Sequence, residues 1–161
     1  GGGRRGAHAR HHGRRRGRAR VTRAPHWFNE GLAEYFGFSE ITPEGLRYGL
    51  LPTSHPSRLD NLRRALSRQN DTAPPLPLAT LIRADRDTFM DPAQAAVNYA
   101  HAWSVMHFLA SSRGGRKLIK DYFLALRDGK DIDRAFEAVF AGKFDLDQLE
   151  REWRVHVDGL R

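Results

Sequence analysis

Residues 25–36, PHWFNEGLAEYF, form a two-sided segment that constrains this chain more than any other. Four large apolar side chains recur there at roughly helical spacing: Trp27, Leu32, Tyr35 and Phe36. Glu30 and Glu34 are four residues apart, so on a helix both carboxylates point the same way. Gly37 can end that helix. The pattern predicts a helix that packs aromatic residues on one side and presents two carboxylates from another, which suits an acidic site.

Length and composition limit the kind of protein this can be. The chain has 161 residues, 40% of them hydrophobic, which indicates one domain with a core. It has no cysteine, which excludes disulfides and thiolate zinc ligands, so any metal must be held by His and carboxylate groups. No transmembrane segment is predicted, because no apolar run reaches roughly 18 residues. No signal peptide is visible, and the compartment stays open.

The net charge of +8 comes from one segment. Residues 1–23 hold nine Arg and no acidic residue. The other 18 of the 27 basic residues face 19 acidic ones in residues 24–161, which are therefore almost neutral at −1. Only Val21 is a β-branched aliphatic residue in the first segment, and none is aromatic. We therefore expect residues 1–23 to be a disordered Gly/Arg/His-rich tail and residues 24–161 to be the folded domain.

The folded part is predicted to be mostly α. Helices are expected over 25–36, 57–69, 92–111, 116–127, 131–140 and 145–157, and residues 78–82 are expected to form a short apolar turn or helix. Ser57 and Asp91 are the expected N-caps, and the helices at 131 and 145 each open with an Asp at the positive end of the helix dipole. Residues 38–56 are expected to be loop with at most one helical turn, and 114–115 to break a helix. Eight aromatic side chains are expected to be largely buried: Trp27, Tyr35, Phe36, Trp103, Phe108, Phe123, Phe136 and Trp153.

The string at 25–36 resembles the P-x-W-x-x-E-G-x-A-x-Y-F helix of gluzincin metallopeptidases, in particular the bacterial peptidase-MA-like group of the DUF1570 type. Residues 98–109 are similar to that family's Y-A-x-x-W-x-L-x-x-F-L helix, and 135–140 with 149–153 to its C-terminal ending. The resemblance implies the helical C-terminal portion of a zinc peptidase domain, with the small β-sheet expected upstream. It also implies that Glu30 is the third protein ligand of a Zn²⁺ ion and that the substrate is a peptide or protein.

A gluzincin also needs His-Glu-x-x-His, in which the Glu is the general base. His8 and His12 have the required spacing, but Ala9 stands where the base should be and cannot accept a proton. Three explanations are open: a zinc site that is catalytically dead, a truncated or frame-damaged N-terminus in which the spacing is chance, or a true basic tail. The second explains best why the composition changes just where the family pattern resumes.

Two further residues are candidates for catalysis under this resemblance. Related peptidases use a Tyr or His to stabilise the developing oxyanion, and Tyr99 and His101 lie in the second matching helix. Packing in the core or at its rim is the other interpretation of both.

The sequence thus favours a zinc-dependent peptidase-like domain, inactive as written. The alternative is a non-enzymatic helical module whose basic tail contacts nucleic acid or an acidic surface. Binding to nucleic acid is the weaker version, because no aromatic residue is interleaved with the tail's arginines for base stacking. The oligomeric state is left open.

Overall fold

A computed structural model describes residues 24–53, 57–67, 72–141 and 143–161. The described part is mostly α, as the sequence predicts. In chain order its elements are α1 His26–Gly37, β1 Glu40–Thr42, β2 Gly45–Arg47, α2 Arg58–Leu66, α3 Leu78–Arg83, α4 Arg86–Phe89, α5 Ala95–Ser111, α6 Arg113–Arg127, α7 Ile132–Val139 and α8 Leu146–Gly159. No helix within these ranges is long and apolar enough to cross a membrane. The tail, with His8 and His12, lies outside the described residues.

Helix α5 is the centre of the packing. It contacts α1, α2, α6 and α8, and most of its residues from Val97 to Met106 are buried. Helix α1 approaches it closely at Gly31, where a Cβ atom would lie 2.7 Å from the carbonyl oxygen of Ala102. Only glycine fits that approach, because any side chain would meet the backbone of α5. The position of α1, and of any site it carries, is therefore fixed against the most buried helix.

The cap expected at Ser57 is confirmed, and two further helices begin with an Asp cap. Ser57 accepts a hydrogen bond from the Asp60 backbone N–H at 3.1 Å, and the Asp60 carboxylate accepts one from the Ser57 N–H at 2.9 Å, which is a capping box. Asp131 caps α7 and Asp145 caps α8. Helix α2 is described as far as Leu66, and residues 68–71 lie outside the described part.

Several boundary predictions are wrong. Residues 38–56 include an antiparallel hairpin, in which Ile41 pairs with Leu46. Helix α5 begins at Ala95 rather than at residue 92, because the Asp91 carboxylate accepts from the Ala93 N–H in a preceding turn at 2.9 Å. The sequence analysis missed α4, a single turn capped by Asp85.

The glycine pair at 114–115 does not break a helix but lies in the first turn of α6. Ser112 separates α5 from α6 and accepts from the Gly115 N–H at 3.0 Å. A Cβ atom on Gly115 would collide with the carbonyl group of Leu109. Gly115 therefore lets α6 begin tightly against the end of α5, whereas a Cβ atom on Gly114 would meet nothing.

Burial follows the prediction for five of the eight aromatic residues: Trp27, Tyr35, Trp103, Phe136 and Trp153. Phe108 is partly buried. The prediction is wrong for Phe36 and Phe123, which are each 52% exposed. Each follows a buried tyrosine, and one residue turns a helix by about 100°, which carries the next side chain out of the core.

Candidate functional site

Helix α1 carries its two carboxylates on the flank of its buried stripe. Trp27, Phe28, Gly31 and Tyr35 form that stripe. Glu30 and Glu34 are both partly exposed and lie one turn apart beside it. Helical spacing and a one-sided apolar stripe therefore place both acidic groups at the edge of the packed face.

Glu34 is engaged by an arginine from another helix. Arg58, the first residue of α2, donates from Nε to Oε2 at 3.0 Å and from Nη2 to Oε1 at 2.6 Å. The hydrogen bond to Glu34 is the main reason that the pKa of Arg58 is raised. This bidentate pair occupies both carboxylate oxygens and ties α1 to α2. Glu34 is therefore poorly suited to hold a metal.

Glu30 has a different environment. The Asn29 side-chain amide donates to its Oε1 over a long 3.5 Å, and no ion pair to Glu30 occurs within the described ranges. Its negative charge acts on Tyr99, whose pKa is raised by burial first and by Glu30 next. The structure thus brings together two of the residues selected from the sequence, Glu30 and Tyr99.

Tyr99 is held in place on three sides. Its ring meets Phe89 edge-on with centroids 5.3 Å apart, and the Arg58 guanidinium carbon lies 5.4 Å from its centroid. Its hydroxyl donates to Met90 Sδ at 3.6 Å. Burial and the charge of Glu30 hold the pKa of this phenol above its ordinary value, so its O–H stays protonated near neutral pH.

His101 lies elsewhere. It is fully buried, and its ring packs on Trp153 with centroids 4.2 Å apart. Burial, with a smaller contribution from the charge of Arg154, lowers its pKa to about 3, so the imidazole is neutral. Positions two apart on a helix differ by about 200°, and accordingly His101 faces the core while Tyr99 is only partly buried against it.

The donor set can be tested against a zinc ion. A catalytic zinc takes three protein ligands. Within the part of the chain that the structure describes, no group of three or more His, Cys, Asp or Glu side chains could hold a metal. The described residues alone therefore do not fit zinc, and Glu30 supplies one ligand at most.

A cavity of about 430 Å³ opens at the start of α1, and Asn29, the residue before Glu30, is part of its lining. Its lining includes His26, Asn29, Asp85 and Arg86, and His26 stacks on Phe89 with centroids 5.9 Å apart. The charge of Arg86 also acts on Tyr99. Sequence reasoning missed Arg58 and Arg86, because neither lies in the motif and only the tertiary fold brings them to it.

The protein is mostly α, and its candidate site consists of Glu30 on α1 and of Tyr99 on α5, on which the charge of Glu30 acts. The chain belongs to the family described as protein of unknown function (DUF1570), whose model matches residues 16–127. That match covers Glu30, Arg58 and Tyr99, and it begins after His12. No curated protein matches the chain, and no solved structure does.

Proposed function

We propose that this chain is the helical portion of a gluzincin-type zinc peptidase domain, in which Glu30 is the metal-ligating carboxylate. The observation that carries the proposal is the difference between the two acidic groups of α1. Glu34 is neutralised by Arg58 through two hydrogen bonds, whereas Glu30 is partly exposed and has only a long contact with Asn29 among its described neighbours. A metal ligand must offer an uncompensated oxygen, which Glu30 does and Glu34 does not.

Tyr99 is the residue that we propose to assist the reaction of an intact relative. Its protonated hydroxyl lies near the charge of Glu30, and its ring is fixed by Phe89 and Arg58. A pre-oriented O–H donor of this kind can stabilise an oxyanion that develops on a peptide carbonyl. The interior position of His101 suits packing, so Tyr99 is the better candidate of the two.

The chain as written is proposed to be inactive. Ala9 occupies the position of the general base between His8 and His12, and alanine cannot take a proton from water. The family match begins at residue 16, so His8 and His12 lie outside it. Zinc, when bound to an intact site, would polarise the scissile carbonyl, and no step of that kind is assigned to this chain.

The test is a metal and activity assay on the full chain. We expect no stoichiometric zinc after dialysis and no casein hydrolysis above background. Zinc retained at one equivalent would show that the chain holds a metal site after all, and casein cleavage that stops with a chelator would show that it is an active enzyme.

A further inference from the structure

The hairpin of β1 and β2 carries an exposed apolar surface. Ile41 and Leu46 are cross-strand partners and are 88% and 56% exposed. Because side chains alternate along a strand, this pair lies on one face of the hairpin, and the ion pair of Arg47 with Glu40, at 3.4 Å, lies on the other. Tyr48 follows directly and is 59% exposed. A two-stranded hairpin with an open apolar face is a surface that a partner can cover.

The same surface continues onto α6 through a groove of about 390 Å³. Tyr48 and Phe36 lie in its wall with ring centroids 6.2 Å apart, and Arg116 lies at its edge. Tyr35 and four apolar residues complete the lining: Leu32, Met106, Ala110 and Ile119. One turn beyond Ile119 is Phe123, which is half exposed. Tyr48 therefore links the hairpin to the groove, and Phe123 lies one turn further along α6.

Basic side chains border this face on α6. At about 100° per residue, one stripe of the helix, about 60° wide, carries four of them: Arg113, Arg116, Lys120 and Arg127. Asp121 lies on the next stripe and pairs with Lys117, and Asp128 pairs with Arg127 at 2.9 Å, which leaves Arg113, Arg116 and Lys120 without an ion pair among the described residues. The exposed acidic residues of the hairpin are Glu40, which pairs with Arg47, and Glu44 in its turn. Positive charge thus predominates beside the exposed apolar residues.

We propose that this α6–hairpin face, formed by Phe36, Ile41, Leu46, Tyr48 and Phe123 with the basic stripe of α6, docks on an anionic lipid membrane. Apolar and aromatic side chains bordered by Lys and Arg enter the headgroup region while the cations meet lipid phosphates. The proposal is independent of Glu30 and goes beyond peptide hydrolysis.

Charge and shape select this occupant over others. A second copy docked symmetrically would bring the basic stripe against itself, and residues 1–23, with nine Arg and no acid, carry the same sign. An acidic protein would satisfy the charges. However, Ile41 projects from a short hairpin rather than lining a recess, and a projecting aliphatic side chain suits a fluid interface.

The absence of cysteine allows a direct test on the full chain. An environment-sensitive fluorophore is attached to Ile41→Cys, or to Val155→Cys on α8 as the matched exposed control, since Val155 is 72% exposed. The probes are vesicles of phosphatidylcholine alone and of equal parts phosphatidylcholine and phosphatidylserine. With anionic vesicles the label at position 41 should shift to the blue and brighten at least about twofold, while that at 155 should not. The arginine-rich tail is the same in both proteins and cannot produce the difference.

A second pair of variants tests the charge. Arg113→Gln with Lys120→Gln should weaken co-sedimentation with anionic vesicles by about fivefold per charge, whereas Arg134→Gln with Arg151→Gln on α7 and α8 should change it little. Three results would overturn the proposal. The first is that the protein sediments with anionic vesicles while the label at position 41 keeps its spectrum in water. The second is that the label shows the same blue shift when the protein self-associates without lipid. The third is that polyglutamate produces the shift and vesicles do not.

Discussion

At the residue scale, two glutamates four positions apart have different environments. Sequence spacing makes Glu30 and Glu34 equivalent, and only the fold separates them, through an arginine 24 residues further along the chain. The motif at residues 25–36, which includes Glu30, could be recognised from the local sequence alone. The partner of Glu34 could not, because no local pattern states which distant side chain will meet it.

The ion pair of Glu34 should contribute to stability. Both side chains are partly buried, so Glu34→Gln leaves a guanidinium with a poorer acceptor and should lower the free energy of unfolding by about 1–3 kcal/mol. Glu40→Gln, which removes an exposed partner of Arg47, is the matched control and should cost less than about 1 kcal/mol. Urea unfolding of both variants compares them. Equal losses would mean that the Arg58 contact is no more than a surface ion pair.

At the scale of the elements, patterns within a segment were predictable and contacts between segments were not. The caps at Ser57, Asp131 and Asp145 follow from residue type beside an apolar stripe. The hairpin escaped prediction because its strands have three residues each and its apolar pair faces outward, so no buried alternation marks it. Gly115 was predicted to break a helix. It is a glycine because the carbonyl group of Leu109, in the neighbouring helix, leaves no space for a Cβ atom.

The seating of α1 on α5 depends on Gly31. Gly31→Ala should destabilise the fold by about 1–3 kcal/mol, because the new methyl group would meet the Ala102 carbonyl, although alanine is the better helix former. Gly114→Ala, in open space on α6, should instead stabilise by up to about 1 kcal/mol. Thermal unfolding followed by circular dichroism separates the two signs. A stabilised Gly31→Ala protein would mean that α1 does not pack this closely.

At the scale of the whole molecule, three histidines hold the helices together in their neutral form. His107 Nδ1 lies 2.9 Å from His156 Nε2, which links α5 to α8, and His107 Nε2 lies 3.1 Å from the Gly49 carbonyl oxygen. Burial lowers the pKa of His107, that of His156 and that of His101, the last to about 3. For each group the unfolded chain binds protons more readily than the folded one.

The free energy of unfolding should therefore decrease as the pH is lowered. The stabilisation from the neutral histidines is fully present above the pKa of an unfolded histidine, about 6.5. It is lost progressively as the pH drops below that pKa toward the lower pKa of the folded state. For His101 the slope approaches about 1.4 kcal/mol per pH unit below about pH 6, and the lowered pKa values of His107 and His156 act in the same direction. Urea unfolding between about pH 7 and pH 5 measures it, and His101→Leu should flatten the curve. Stability that is constant or that rises on acidification would contradict this account.

The central claim, that Glu30 and not Glu34 is the metal-ligating carboxylate, has one direct measurement. A helix with His-Glu-x-x-His and an apolar face is grafted upstream of Pro25, and zinc is titrated calorimetrically into the graft, its Glu30→Gln variant and its Glu34→Gln variant. The graft should bind one zinc. Glu30→Gln should largely abolish binding, because a ligand is lost, while Glu34→Gln should weaken it much less. If Glu34→Gln loses zinc and Glu30→Gln keeps it, the assignment of the ligand is wrong.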